Sequence, residues 1–199
     1  MRRDARENRE RILAAAERVF GEAGSGAPTE EIAARAGVGV GTVFRHFPTK
    51  RDLIEATLVR HFGHLAEHAR ALAESAPPGP ALRAQIEQMV GVSATKVVLV
   101  EHLSASGELT GPAWQAAREL REAVGALLRR AQLAGAVRTD VSVDEIYLLV
   151  RGLSQAAAAA PAGMSAARTL EVVWDGLAAT GRAAGPAAGR RTARKHDDG

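Results

Sequence analysis

Apolar residues recur along this chain at three- and four-residue intervals. Ile12, Leu13, Ala16, Val19, Phe20 and Ala23 form one stripe, which predicts an amphipathic helix over about 6–23. "GSGAP" breaks that pattern. Thr29 then reads as an N-cap, with Glu30 and Glu31 in a first turn where carboxylates favour the helix dipole. The short helix it opens, "EEIAARAG", ends at Gly37, and a second short helix follows over about 41–46 until Pro48 stops it. Thr49 to Asp52 resembles a capping box and opens a long helix to about Glu74, with Ile54, Leu58, Phe62, Leu65, Ala69 and Leu72 on one face. "SAPPGP" reads as a linker. Further helices are expected over about 80–105, 112–134, 142–160 and 165–183, the third opened by the S-x-x-E box of Ser142 and Glu145.

Composition sharpens this all-α reading. Hydrophobic residues make up 46% of the 199, yet only four Phe, two Trp and one Tyr are aromatic, and alanine dominates, which favours helix packed on helix. There is no cysteine, so disulfides and thiolate metal sites are excluded. The charged start "MRRDARENRE" has no apolar core of a signal peptide, and no apolar run approaches the roughly 18 residues of a membrane span. A cytoplasmic protein without a membrane partner is the expectation. The net charge is +3. It divides into 11 basic and 9 acidic residues in 1–60, and 5 and 2 in 182–199, leaving a mildly acidic middle. Basic ends suit a polyanion partner. Three parts follow: 1–50, 51–181, and a basic tail over 182–199 without apolar periodicity, expected to be disordered.

The segment "GVGVGTVFRHFPTK", Gly37 to Lys50, carries the chemistry. Two short helices around a glycine-bearing turn form a helix-turn-helix, whose second helix enters the DNA major groove. Val43 and Phe47, four apart, share a face that can pack on Ile12, Val19, Phe20 and Ile32. Thr42, Arg45 and His46 then occupy the other face. Gly39 and Gly41 let the backbone approach phosphate, and Lys50 at the next helix start can clamp a phosphate together with backbone amides. "TEEIAARAGVGVGTVFRHFPTKRDLIEA" closely resembles the DNA-binding signature of the TetR family of bacterial regulators, in which "IA..AGVS.GT.Y.HF..K..L" recurs. The resemblance covers about 50 residues. It implies a three-helix head, a larger helical body that dimerises and binds a small molecule, and double-stranded DNA with a palindromic operator as partner. It implies phosphate contacts from Thr29, His46 and Lys50, and base or backbone contacts from Val40, Gly41 and Thr42. Arg45 is the candidate base reader, since Arg pairs bidentately with guanine. Phe44 is a further DNA-contact position, and two positions depart from the family: Phe44 stands where tyrosine is usual and has no hydroxyl, so that phosphate contact is lost or becomes van der Waals, and Gly39 stands where serine often caps the recognition helix.

The body is less specific. Gly152, Ala156 and Ala160, four apart, offer a small-residue face, and Leu170, Val173, Trp174 and Leu177 follow on the next helix. These are read as a homodimer interface, with packing inside one subunit as the other reading. His61, His64 and His68 fall within about 60° of one another on the long helix. They are either polar residues at the edge of a packed helix or part of an effector pocket. No carboxylate or cysteine completes a metal spacing, so neither a metal nor a cofactor is assigned. Met89, His102, Trp114 and Tyr147 are further pocket candidates, and the two aromatics also suit a core. An enzyme lacks a signature around Ser93, Ser104 or Ser106. A constitutive architectural DNA-binding protein would not need about 130 residues after the head.

Overall fold

A computed structural model describes residues 2–91, 111–159 and 166–178. Eight helices occupy these residues: α1 (Arg2–Ala23), α2 (Thr29–Ala36), α3 (Val40–His46), α4 (Lys50–Ser75), α5 (Pro78–Gly91), α6 (Gly111–Leu133), α7 (Val143–Ala159) and α8 (Ala166–Leu177). The described residues contain no strand. One antiparallel bridge pairs Val137 with Ala178 and ties the turn after α6 to the end of α8. The expected all-α plan, a three-helix head followed by a helical body, is the one observed.

The apolar stripe of α1 explains the head. Ile12, Leu13, Ala16, Val19 and Phe20 are buried, and so are Ile32, Ala33 and Ala36 of α2, Val43 of α3, Phe47, and Leu53 and Ile54 of α4. Ala23, at the end of the stripe, is exposed. The same core continues without a break along α4 through Leu58, Phe62, Leu65 and Ala69 to Leu127, Ile146 and Leu177. The long helix α4 thus belongs to both parts, packing on α1 at its start and along α5 and α6 thereafter.

Helix ends show where local chemistry governs. Thr49 Oγ1 accepts from the Asp52 amide (3.1 Å) and Asp52 Oδ2 accepts from the Thr49 amide (2.9 Å), a complete capping box that starts α4. Ser142 and Glu145 form the expected box before α7 (2.7 and 3.3 Å). Two expectations are corrected. Thr29 is the first helical residue of α2, not its cap: extended Pro28 takes the N-cap position without a side-chain bond, and Thr29 turns inward. The "SAPPGP" stretch is largely helical, because Pro78 and Pro80 lie in the first turn of α5, where a missing N–H costs no intrahelical bond. The expected helix over 80–105 is described to Gly91; its remainder, the end of the last helix and the tail 182–199 lie outside the described residues.

Candidate nucleic-acid interface

The turn between α2 and α3 depends on one glycine and one arginine. Gly37 ends α2 in the left-handed region (φ 65°), and its amide donates back to Ala33 and Ala34. Arg11 of α1 reaches across: Nη2 donates to the carbonyls of Ala36 (2.6 Å) and Gly37 (3.1 Å). A cation on the orphan carbonyls of a helix C-terminus is favourable for both. It also fixes the direction in which the chain leaves for α3. Gly39 then caps α3 without a side-chain bond, as its lack of a hydroxyl requires, and α3 starts one residue earlier than expected.

Helix α3 is held by its apolar side. Val43 and Phe47 are buried, and the Arg9 guanidinium lies 5.2 Å from the centre of the Phe47 ring. At about 100° per residue, Phe44, Gly41, Arg45 and Thr42 follow one another around the opposite arc, with His46 at its edge. Phe44 and Arg45 are exposed, Thr42 and His46 half-buried, and a Cβ at Gly41 would meet nothing within 4 Å. Val40 is half-buried against the core. Lys50 is half-buried at the first position of α4, followed by exposed Arg51. The capping box uses the amides of Thr49 and Asp52, so those of Lys50 and Arg51 remain without an intrahelical acceptor. Thr29 is only 8% exposed, and of the phosphate contacts the resemblance implies, the geometry favours its contact least.

Two cations of the head are held by carboxylates of α1 and α2. Arg35 contacts Glu22 (2.6 Å) and Glu31 (2.8 Å), and its guanidinium, through its hydrogen bond first, holds the Glu22 carboxyl below the usual range. Arg60 of α4 binds Glu17 and, at 3.2 Å, Glu10, both on α1. Among the described residues Arg45, Lys50 and Arg51 make no ion pair. Arg35 and Arg60 are thus engaged within the head, whereas the cations at the α3–α4 junction carry no internal counter-charge among the described residues.

The expected pocket residues do not gather. His64 is exposed and lines an open groove of about 460 Å³ with Arg9, Glu10, Arg60, Glu67 and Pro112, on the α1 side of α4. His68 instead bridges α4 to α5: its Nδ1 lies 2.8 Å from Oε1 of Gln85, and Gln85 Nε2 donates to the Leu65 carbonyl at 3.2 Å. Gln85 is fully buried and Met89 is buried one turn further along α5. Trp114 fits neither of its readings. It is 44% exposed on the outer side of α6, with the Arg118 guanidinium 4.8 Å from its ring centre, because α6 turns Ala113, Ala116 and Leu120 inward instead. Tyr147 is half-buried beneath Arg121 (5.8 Å); its hydroxyl is buried without a hydrogen-bond partner among the described residues, and burial raises its pKa. His102 lies outside the described residues. His61 Nδ1 is 4.0 Å from Glu17, and no trio of His, Cys, Asp or Glu side chains among the described residues is arranged for a metal ion.

The proposed dimer face divides as well. Gly152 and Ala156 of α7 are exposed, as is Leu148 one turn earlier, and a Cβ at Gly152 would meet nothing within 4 Å. Ala160 lies outside the described residues. On α8, Leu177 is 7% exposed and Leu170 is buried, so these two are spent within the subunit; Val173 and Trp174 pack against the same core but keep part of their surface. The outward side of α8 carries Val172 and Gly176.

Two residues that support α3 escaped the sequence pattern. Arg9 and Arg11 lie beside the α1 stripe, and their partners are set by how α1 meets α2 and Phe47. Arg51 was legible as a cation adjoining Lys50.

Comparison with known proteins agrees with this geometry. Residues 12–63 match the family described as bacterial regulatory proteins, tetR family, and residues 77–179 match the C-terminal domain of SbtR-like transcriptional regulators. A TetR transcription regulatory protein from Mycobacterium vanbaalenii is similar at 38% identity over 89% of this chain and 98% of its own, with a TM-score of 0.71. A TetR regulator from Streptomyces coelicolor gives 34%, 85%, 98% and 0.71. An HTH-type transcriptional regulator of Staphylococcus aureus is 37% identical over 73 residues, a match spanning 36% of this chain and 40% of that relative. The second family match alone spans just over half of the chain. No described helix is long and apolar enough to cross a membrane. With its helix-turn-helix, its helical body and these matches, the chain belongs to the TetR family of bacterial transcriptional regulators, which are DNA-binding proteins and not enzymes.

Proposed function

We propose that this regulator is a repressor that docks as a homodimer on a palindromic operator and is released when a small molecule enters its body. Residues 1–50 serve as the reading head and 51–181 as the effector-binding and dimerising body. The observation that carries the reading is the exposed arc of α3: Arg45 at its centre, bare Gly41 beside it, and unpaired Lys50 and Arg51 at its edge. Arg45 meets a base edge, Gly41 and Thr42 admit the backbone, and His46 and Lys50 hold phosphates. The exposed face of Leu148, Gly152 and Ala156 on α7 is the surface offered to a second copy. Met89, Tyr147 and the His68–Gln85 pair are the described residues placed to feel a ligand inside the body.

A randomised-site selection with the full chain tests the core of this reading. A two-fold symmetric site with half-sites about 34–36 Å apart is expected. Enrichment of no sequence would refute operator recognition, and a single asymmetric half-site would refute the symmetric dimer. Ligand that co-purifies with the protein, identified by mass spectrometry and returned to the DNA complex, is expected to lower operator affinity.

A further inference from the structure

We propose that Phe44 is a second specificity-determining residue, which reads a thymine through its 5-methyl group beside the base read by Arg45. The inference rests on the DNA-reading role of α3 and adds what one side of that helix recognises.

Phe44 is 45% exposed, while Phe20, Phe47 and Phe62 are buried. A single exposed apolar residue is ordinary on a protein surface. The position of this one is not, because it lies on the polar arc of the helix that enters the groove. Arg45, the next residue, is exposed, and Gly41, one turn before, carries no side chain to hold the helix away from DNA. Phe44 also makes no aromatic or cation–π contact among the described residues, whereas Arg9 covers Phe47. Nothing within the head therefore draws the ring into the core.

The ring also lacks what a phosphate contact requires. It has no donor to offer a phosphate oxygen, and leaving its face against that oxygen would be unfavourable. In the major groove only thymine presents a methyl group, and apolar side chains, phenylalanine included, discriminate it by contact. Arg45 and Phe44 are adjacent on the arc, about 100° apart. One polar and one apolar reader side by side would select a thymine within a base pair or two of the Arg45 guanine in each half-site. Burying one methyl group is worth about fourfold in affinity.

The test uses the full-length protein and the operator obtained by site selection. Each thymine of one half-site is replaced by uracil, which removes only the 5-methyl group, and affinities are compared for wild type and Phe44→Ala. One uracil position is expected to weaken wild-type binding about fourfold and Phe44→Ala not at all. Phe44→Leu, which keeps an apolar contact, should retain part of the uracil effect. Phe44 is exposed, so the variants are expected to fold, which an unchanged melting temperature checks. Specific binding by wild type with no uracil-sensitive position, or with equal sensitivity in Phe44→Ala, would overturn the proposal while leaving operator recognition standing. Failure of the wild-type protein to select any site would overturn both.

Discussion

Arg45 and Arg11 stand in opposite situations, one without an internal partner and one bound to the turn before α3. Arg45 is free of internal partners, so its guanidinium is available to a base. Arg45→Ala should cost roughly 1–3 kcal/mol on the selected operator and relax preference at one base pair. A selection repeated with the variant that returns the wild-type site would remove Arg45 from the base readers. Arg11 acts at a distance, by holding the carbonyls of Ala36 and Gly37. A Cβ at Gly37 would fall 2.6 Å from Arg11 Nη2, at a φ of 65° that L-residues avoid. Arg11→Ala should therefore cost about 1 kcal/mol of stability. Gly37→Ala should cost about 1–2 kcal/mol for its backbone alone and displace Arg11 besides. The double variant is expected to lose less than the sum, because both break the same contact. Additive melting shifts would show that Arg11 and Gly37 do not share it. The polar face of α3 was legible in the sequence, since Val43 and Phe47 four apart leave Thr42, Arg45 and His46 opposite. The role of Arg11 was not, because it depends on the packing angle between α1 and α2, which brings together residues 25 apart in the chain.

At the level of elements, α4 carries the most consequence. Its start is fixed by the Thr49–Asp52 box, which also leaves the Lys50 amide and ammonium at the DNA end. Lys50→Ala should weaken all DNA sequences alike and lower the salt slope by roughly 0.9, the value of one lost phosphate contact. An unchanged slope would mean that Lys50 touches no phosphate. Further along, Gln85 satisfies both the His68 ring and the Leu65 carbonyl from a fully buried position. Gln85→Leu leaves His68 and an apolar wall in place but removes both bonds, and is expected to cost about 1–3 kcal/mol, read by denaturant titration. A cost near zero would show that water replaces the amide. Boundaries set by local chemistry, such as the two capping boxes and Gly37, were legible to within a residue. The helical prolines of α5, the inward turn of Thr29 and the burial of Leu177 were not. Thr29, Trp174 and Leu177 have the same identities on either side of a helix, and only tertiary packing decides which side turns inward.

Across the whole molecule, the head, α4 and the body share one continuous core, so assembly and signalling are both questions about how α4 and α7 are held. The Leu148, Gly152 and Ala156 side of α7 is exposed among the described residues. A Cβ at Gly152 meets nothing within 4 Å and the residue is exposed, so Gly152→Leu is expected to fold. It is expected to hold two copies apart and to lower operator affinity although the head is untouched. A dimer that persists in light scattering would place the interface elsewhere.

Coupling between ligand and operator is the remaining whole-molecule property. Arg60 ties α4 to Glu10 and Glu17 of α1, and Gln85 ties α4 to α5 eight residues further on, through His68. A ligand that displaces α5 or α6 would therefore move α4, and α4 would take α1 and the recognition helix with it. A shift of a few ångströms spoils docking on two half-sites about 34–36 Å apart. Ligand and operator must then weaken each other by the same factor. Replacing Arg60 by Met and Glu17 by Gln together removes the charged tie without stranding either charge in its half-buried position. Once the effector is identified, its affinity for the DNA-free double variant should match wild type within about twofold. The factor by which it lowers operator affinity should fall. If that factor is unchanged, the signal reaches the head through the apolar packing of α1 on α4, and the ion pairs only stabilise the fold.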